Sequence, residues 1–297
     1  QAQSEDSGRE YALSMLDLPQ RNGVANTSSA STYQGLSATR VGMLDTHVEP
    51  TAWLRDVTLT TMPFASTPLA GQVDRLAHPA HGTAIASLMA RVAPTIQLFA
   101  AAVMATRNDQ TVATTYRLVQ GVDWLLEKRV QVINMSMSGR YDKNFATTIT
   151  ELMHRGVLVT AAAGNQGGKA PPAYPAAYAS THNHIVAVTA VDVEGKLYSQ
   201  ANQGAYIAVA APGVNLWVPP ASGQLTAESV AARYVSGTSY ASAYAAGAVA
   251  HWLAIPKKPS GTTVPQRLCQ TAKDLGPAGR DDAFGCGLLQ INAALKP

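Results

Sequence analysis

The chain has 297 residues, of which 46% are hydrophobic and 14% are charged, and its formal net charge is +3. A chain of this length can bury one large α/β core or two small ones. The small, dispersed charge and the absence of a Lys/Arg run argue against a nucleic-acid partner. No apolar run approaches the ~20 residues that a membrane span needs. The low share of charged residues favours an exported protein, because about a quarter is usual.

The first part of the chain, residues 1–38, is polar and rich in Ser, Gln and Asn. We interpret it as an N-terminal arm that precedes one domain at 39–297. Residues 11–18 form a short amphipathic stretch within the arm and are predicted to be helical. We expect the arm to pack over a cleft or against a neighbouring subunit. The chain begins without a basic and apolar leader, so we expect any signal peptide to have been removed.

A buried strand is predicted at residues 40–44, a short apolar run between turn signals. Asp45 follows directly, at the C-terminal end of the strand, where open α/β sheets place their sites. An Asp at this position can equally cap the next turn. Residues 47–77 show no periodicity and are predicted to be surface loop with short elements.

A histidine stands at the start of the next predicted helix, in His78-Pro79-Ala80-His81-Gly82-Thr83. His81 is either a satisfied structural histidine or a functional one. His78 and His81 could form a metal pair, but no third ligand stands at a recognisable spacing. We therefore predict no metal site and no cofactor.

Strands and helices alternate through the rest of the chain. This alternation predicts a doubly wound, mostly parallel sheet of about seven strands with helices on both faces. Right-handed crossovers would gather the strand C-termini along one edge. Asp45, Ser138 and Asn165 at strand ends would then share that edge with His81 and Ser239 at helix starts. The strands are predicted at 96–103, 130–135, 157–163, 185–191 and 207–211, and the helices at 112–129, 144–155 and 264–273.

The stretch Ser236-Gly237-Thr238-Ser239 is a tight turn that opens into a run of small, helix-compatible residues. It predicts that the Ser239 hydroxyl lies at a helix N-terminus, where free backbone N–H groups and the helix dipole favour negative charge. One interpretation is an ordinary serine N-cap. The other is an acyl-transfer nucleophile, whose transition state develops an oxyanion nearby.

Two cysteines, Cys269 and Cys286, stand near the C-terminus. We predict one disulfide, which would contribute about 3 kcal/mol for a loop of this size and would fit an oxidising compartment. Two free buried thiols are the alternative. Two cysteines are too few for a structural zinc site.

Five short motifs occur together in one order and spacing. They are Leu44-Asp45-Thr46, His81-Gly82-Thr83-Ala84-Ile85-Ala86, Asn134-Met135-Ser136-Met137-Ser138-Gly139, Ala161-Ala162-Ala163-Gly164-Asn165 and Ser236-Gly237-Thr238-Ser239. These motifs resemble those of the subtilisin-like serine peptidases, the subtilase family, and the resemblance extends from about residue 40 to 294. The order Asp, His, Ser is also that of subtilisin.

The resemblance implies a secreted or periplasmic endopeptidase that acts on polypeptide substrates. Ser239 would be the nucleophile, His81 the general base and Asp45 the residue that orients His81. The oxyanion would be held by the Ser239 backbone N–H and the Asn165 amide. The implied substrate-binding residues are Ser136, Met137, Ser138 and Gly139 on one wall of the S1 pocket, and Ala162, Ala163 and Gly164 on the other.

The sequence also departs from the family's usual pattern. His47 stands where the family usually has Gly, and it would be strained if its φ were positive. Ser138 replaces a usual Gly, which would make the S1 pocket narrower or more polar. Ala243 and Tyr244 replace a Pro and a His. The chain lacks the loop before Ala93 in which the family often binds calcium.

Other interpretations stay open at this point. The arm is too short to be the prodomain that the family usually needs for folding, so a prodomain or an inhibitor is a candidate partner. A catalytically silent binding protein on the same fold is the alternative function. An esterase with the same nucleophile is disfavoured, because ester cleavage needs no edge that pairs with an extended peptide.

Overall fold

A seven-stranded parallel sheet is the central element of the structure, a computed structural model that describes residues 11–18, 38–66, 74–220, 234–255 and 262–296. In chain order, the strands are β1 (Arg40–Asp45), β2 (Thr58–Met62), β3 (Arg75–Leu76), β4 (Gln97–Ala102), β5 (Ala105–Arg107), β6 (Gln110–Val112), β7 (Val132–Met135), β8 (Leu158–Ala162), β9 (Ile185–Val191), β10 (Val209–Pro212), β11 (Leu216–Trp217) and β12 (Tyr234–Val235). The helices are α1 (Ala80–Val92), α2 (Thr115–Glu127), α3 (Lys143–His154), α4 (Thr238–Ala254), α5 (Val264–Thr271) and α6 (Ile291–Leu295).

The strands of the large sheet lie in the order β10-β9-β8-β7-β1-β4-β2, and every neighbouring pair is parallel. Helices α1 and α4 pack on one face, and α2 and α3 pack on the other. Each inner strand is therefore covered on both sides, which is why it is a continuous apolar run; all seven residues of β9 are buried. The predicted doubly wound sheet of about seven strands is confirmed.

The edge strand β2 was not predicted, because residues 47–77 lack a recognisable pattern. Its sequence, TLTTM, alternates exposed and half-buried residues, and it pairs only with β4. An edge strand with one solvated face lacks the apolar run that identifies a buried strand.

Helix α2 begins three residues later than the sequence predicts. Residues Gln110–Val112 form β6 and pair with β5 instead. The helix then starts after Thr114, whose side chain accepts a hydrogen bond from the Arg117 backbone N–H. The cap, rather than the apolar periodicity, sets the boundary.

The predicted helical stretch at residues 11–18 lies against the face that holds α1 and α4. Residues 11–15 are helical, and Leu13 and Leu16 are buried in the same core as α4. The Leu16 carbonyl accepts a 2.9 Å hydrogen bond from the Ile291 backbone N–H, and the Tyr11 hydroxyl donates to the Val214 carbonyl. Residues 1–10 and 19–37 of the predicted arm lie outside the described residues.

The predicted disulfide is present between Cys269 and Cys286, which are 17 residues apart. It joins α5 to the loop that leads back to the sheet.

The described helices include none with both the length and the apolarity required to cross a bilayer.

Leu16→Ala should test how firmly the N-terminal segment is docked. Removing a fully buried leucine side chain should lower the free energy of unfolding by about 2–5 kcal/mol, measured by urea denaturation. Ser14→Ala, at an exposed position of the same segment, is the control and should change little. Equal, small effects of the two substitutions would show that the segment is not part of the cooperative core.

Candidate active site

A carboxylate and an imidazole meet at the carboxyl edge of the sheet. Asp45 is the last residue of β1, and His81 lies in the first turn of α1. The His81 Nδ1 atom is 2.7 Å from the Asp45 Oδ1 atom. The same oxygen accepts a 2.7 Å hydrogen bond from the Thr46 backbone N–H. Asp45 is fully buried, and this pair of bonds fixes the carboxylate in place.

Gly82 allows α1 to start this close to Asp45. Its N–H donates to the Thr46 Oγ1 atom at 2.8 Å. A Cβ atom at position 82 would lie only 2.5 Å from the Thr46 carbonyl oxygen and 3.0 Å from that of His47. His47 itself is not among the residues with positive φ, so histidine is not strained at this position.

The pKa of His81 is raised above its usual value of 6.5 by its partner. Burial alone would lower this pKa, but the negative charge of Asp45 and the hydrogen bond to it outweigh that effect. Because the side chain is still 31% exposed, its free edge can reach a substrate. The arrangement is that of a base whose far nitrogen is available for proton transfer.

Ser239 lies in the first turn of α4, next to Tyr240. The helix begins at Thr238 after Gly237, whose φ of 150° lies in the region that favours glycine. The Tyr240 ring centroid is 5.5 Å from that of His81, so the first turn of α4 adjoins the imidazole. In the structure the Ser239 hydroxyl donates to the Ser136 carbonyl oxygen at 3.2 Å. Burial and the nearby Asp45 charge raise the pKa of Tyr240 to about 12, so its phenol stays neutral.

Asn165 is held against the same turn by two hydrogen bonds. Its Oδ1 atom accepts from the Thr238 backbone N–H at 3.0 Å and from the Thr238 hydroxyl at 2.9 Å. Since a backbone N–H can only donate, the amide oxygen must face Thr238. The amide nitrogen is then directed toward the turn, and a Cβ atom at Gly237 would lie 3.3 Å from it. An N–H donor is therefore fixed beside the Ser239 turn.

A buried polar network supports the first turn of α4, and the sequence analysis missed most of it. Asn134 Nδ2 donates to the Ser136 hydroxyl at 2.7 Å, and that hydroxyl donates to the Ser239 carbonyl at 2.8 Å. The Asn134 Oδ1 atom accepts from the Thr160 and Ser242 hydroxyls, each at 3.0 Å. The sequence did contain a signal for this network. Asn134 in β7 and Thr160 in β8 are polar residues inside otherwise apolar strands.

A cleft of about 650 Å³ opens beside His81, and the predicted wall at residues 136–139 lines it. Gly139 pairs with Tyr174 through two backbone hydrogen bonds of 2.9 and 3.0 Å. Tyr174 and Tyr178 line one part of the cleft with aromatic rings, whose centroids are 4.7 Å apart. None of residues 11–18 lines this cleft.

The other predicted wall of the S1 pocket does not line this cleft. Ala162, Ala163 and Gly164 are buried at the end of β8. The two walls are nevertheless neighbours. Gln166 follows the second wall by two residues, and its side-chain amide donates to the hydroxyl of Ser138 in the first wall at 3.4 Å. Ser138 therefore adds a polar group where the family usually has none.

Metal binding finds no support among the residues that the structure describes. No group of three or more His, Cys, Asp or Glu side chains in these ranges could hold an ion. The His78 Nδ1 atom already accepts a hydrogen bond from the Ala80 backbone N–H at 3.2 Å.

A parallel α/β sheet with a carboxylate–imidazole pair and a serine-headed helix at its carboxyl edge is the arrangement of subtilisin-like serine peptidases. Residues 37–287 match the family model described as the subtilase family, and the chain belongs to that family.

Sequence relatives agree with this assignment. Minor extracellular protease Epr of Bacillus subtilis (strain 168) is 32% identical over 227 residues, which are 72% of this chain and 32% of Epr. Subtilisin DY of Bacillus licheniformis is 33% identical over 233 residues, which are 73% of this chain and 77% of that protein. The matched region thus spans only about a third of Epr.

Solved structures share the fold at lower identity. A lanthipeptide protease matches with a TM-score of 0.76 and 20% identity, covering 98% of this chain and 95% of that one. Fervidolysin from Fervidobacterium pennivorans, a keratinolytic enzyme related to subtilisin, matches with a TM-score of 0.75 and 22% identity, covering 98% of this chain and 47% of that one.

The titration of His81 should report its contact with Asp45. By NMR, the His81 imidazole of the native protein should titrate above pH 6.5, and its pKa should fall in Asp45→Asn, because the carboxylate charge that offsets burial is lost. A folded pKa raised above the unfolded one stabilises the fold below about pH 6.5, and this contribution is lost as pH rises through the folded pKa. An unchanged titration in Asp45→Asn would contradict the assigned pair.

Proposed function

We propose that this chain is a serine endopeptidase that cleaves polypeptides through an acyl-enzyme formed on Ser239. The observation that carries the proposal is the 2.7 Å contact between His81 and the buried Asp45, immediately beside the first turn of α4. An oriented imidazole next to a serine at a helix N-terminus is what nucleophilic acyl transfer requires.

In the first step, His81 takes the Ser239 proton as the Ser239 oxygen attacks the peptide carbonyl carbon. For this the hydroxyl must rotate from the Ser136 carbonyl to the free nitrogen of His81, a rearrangement that is common when substrate is absent. The tetrahedral intermediate collapses when the C–N bond breaks and His81 gives the proton to the leaving amine. Water then hydrolyses the acyl-enzyme by the same two steps. Asp45 stabilises the imidazolium throughout.

The oxyanion of the intermediate would be stabilised by two donors at the start of α4. One is the Ser239 backbone N–H, and the other is the Asn165 side-chain amide that Thr238 orients. Both are fixed before substrate arrives, so little reorganisation is needed at the transition state. The N-terminal end of α4 adds a favourable dipole.

The substrate would bind as an extended strand along residues 136–139, next to the 650 Å³ cleft. Backbone pairing is insensitive to sequence, so side-chain pockets would set the preference for particular substrate residues.

We also propose that the protein acts outside the cytoplasm, secreted or periplasmic. The disulfide and the similarity to an extracellular protease support this location.

A fluorophosphonate probe tests the nucleophile directly. The native protein should be labelled covalently on Ser239, as shown by intact mass and peptide mapping, and Ser239→Ala should not be labelled. Ser14→Ala is the matched control that should be labelled normally, because Ser14 is an exposed serine that does not line the cleft. A folded native chain that resists labelling would instead support a silent binding protein.

Asn165→Asp should separate the oxyanion role of Asn165 from its structural role. An aspartate can keep both hydrogen bonds from Thr238 but presents a negative oxygen in place of the donor. We expect kcat to fall by about 10²–10³ with KM nearly unchanged, a size taken from subtilisin itself and not worked out from this structure.

The test is steady-state hydrolysis of a chromogenic peptide, with the unfolding transition measured alongside. A kcat within a few-fold of the native value would remove Asn165 from the oxyanion site.

A further inference from the structure

The small antiparallel sheet of β3, β5 and β6 continues into one side of the substrate cleft. Strand β6 ends at Val112, and the chain passes through Ala113 into α2. Thr111, Ala113 and Thr115 all line the cleft. The position of this small sheet therefore sets the shape of the cleft where a long peptide would lie.

Apolar burial in this small sheet is confined to part of it, chiefly Ala105 at the start of β5. Both residues of β3 are exposed, and so are Gln110 and Thr111 in β6. Strands β5 and β6 are joined by a two-residue turn, Asn108-Asp109, with φ values of 48° and 58°. A small sheet of such short strands has little stability of its own and needs support from its surroundings.

An ion network supplies that support. The Arg107 guanidinium, at the end of β5, donates to both Asp74 carboxylate oxygens at 2.8 and 2.9 Å. The Arg117 guanidinium, on α2, donates to the Asp74 Oδ2 atom at 2.8 Å. The side chains of Asp74 and Arg117 are 2% and 1% exposed. Asp74 thus ties the hairpin to the helix from which Thr115 and Leu118 reach the cleft.

The carboxylate remains charged over any ordinary assay range. The Arg107 hydrogen bond, reinforced by Arg117 against the effect of burial, lowers the pKa of Asp74 to about 2. A paired, hydrogen-bonded charge with so little exposure has a defined geometry, unlike a solvated surface pair.

We propose that Asp74, Arg107 and Arg117 are positioning residues that fix the β5–β6 hairpin against α2 and thereby preform the part of the cleft that binds the extended region of a long peptide. The proposal rests on the proposed peptidase function. None of the three residues is among those that line the cleft, so their effect falls on substrates that reach past the hairpin.

Arg107→Gln is the main variant, because Arg107 is 32% exposed and its loss leaves the buried Asp74–Arg117 pair intact. Asp74→Asn is the stronger variant, which keeps the shape but removes the carboxylate charge that both arginines contact. Glu151→Gln is the matched control, since it removes the exposed ion pair between Glu151 and Arg155 on α3.

Three quantities are measured. They are the hydrolysis of a short chromogenic ester, the hydrolysis of a long peptide with at least six residues before the scissile bond, and the rate of amide hydrogen exchange. Arg107→Gln should raise KM for the long peptide by about fivefold or more, since a small displacement of a binding element is costly. The kcat/KM for the ester should stay within twofold. Exchange at residues 105–112 should become faster. Glu151→Gln should change none of these.

Equal losses on the ester and the long peptide, or no loss on either, would overturn the proposal, as would unchanged exchange at residues 105–112. If Asp74→Asn fails to fold, Arg107→Gln still decides the question. If the native protein resists the fluorophosphonate probe, the proposed peptidase function fails, and the exchange comparison alone decides whether the ion network fixes the hairpin.

Discussion

The hydrogen bond between Asp45 and His81 is the constraint on which the rest of the site depends. A fully buried carboxylate is costly unless charged or polar donors surround it. Here the donors come from the Thr46 backbone and from the imidazole. The Thr46 bond is local to the end of β1, whereas the imidazole reaches the carboxylate because α1 starts directly above that strand end. The position of β1 in the sheet, the absence of a Cβ atom at Gly82 and the orientation of His81 therefore depend on one another.

At the start of α4, polar groups buried in the core fix the position of the first helical turn instead of stabilising the fold. Asn134, Ser136, Thr160 and Ser242 satisfy one another and the Ser239 carbonyl with almost no exposure to water. A network in which the members are paired allows one arrangement, whereas an apolar layer would tolerate several. The first helical turn is thus held from below by this network and from the side by Asn165. Nothing in this support depends on bound substrate.

Much of this structure could be predicted from the sequence, because the family motifs fall at strand ends and helix starts. The apolar runs at residues 40–44 and 185–191 correspond to β1 and β9, since both are covered on two faces. Strand β2 and the β5–β6 hairpin could not be predicted, because edge elements with solvated faces carry no periodic apolar signal. The positions of Asn134 and Thr160 in apolar strands were visible, but the partners of a buried hydroxyl are set by strand register, which no local pattern contains.

The docking of residues 11–18 determines how late in its synthesis the chain can complete its core. Gln290 donates a hydrogen bond to the Met15 carbonyl, a contact that joins residues 275 positions apart. A contact with so long a loop between its ends is entropically costly to close and belongs among the late steps of folding. Residues 11–18 are synthesised before α4 and residues 290–292, so their apolar side chains lack the surface against which they pack until those parts have emerged. The chain would therefore remain incompletely packed for most of its translation.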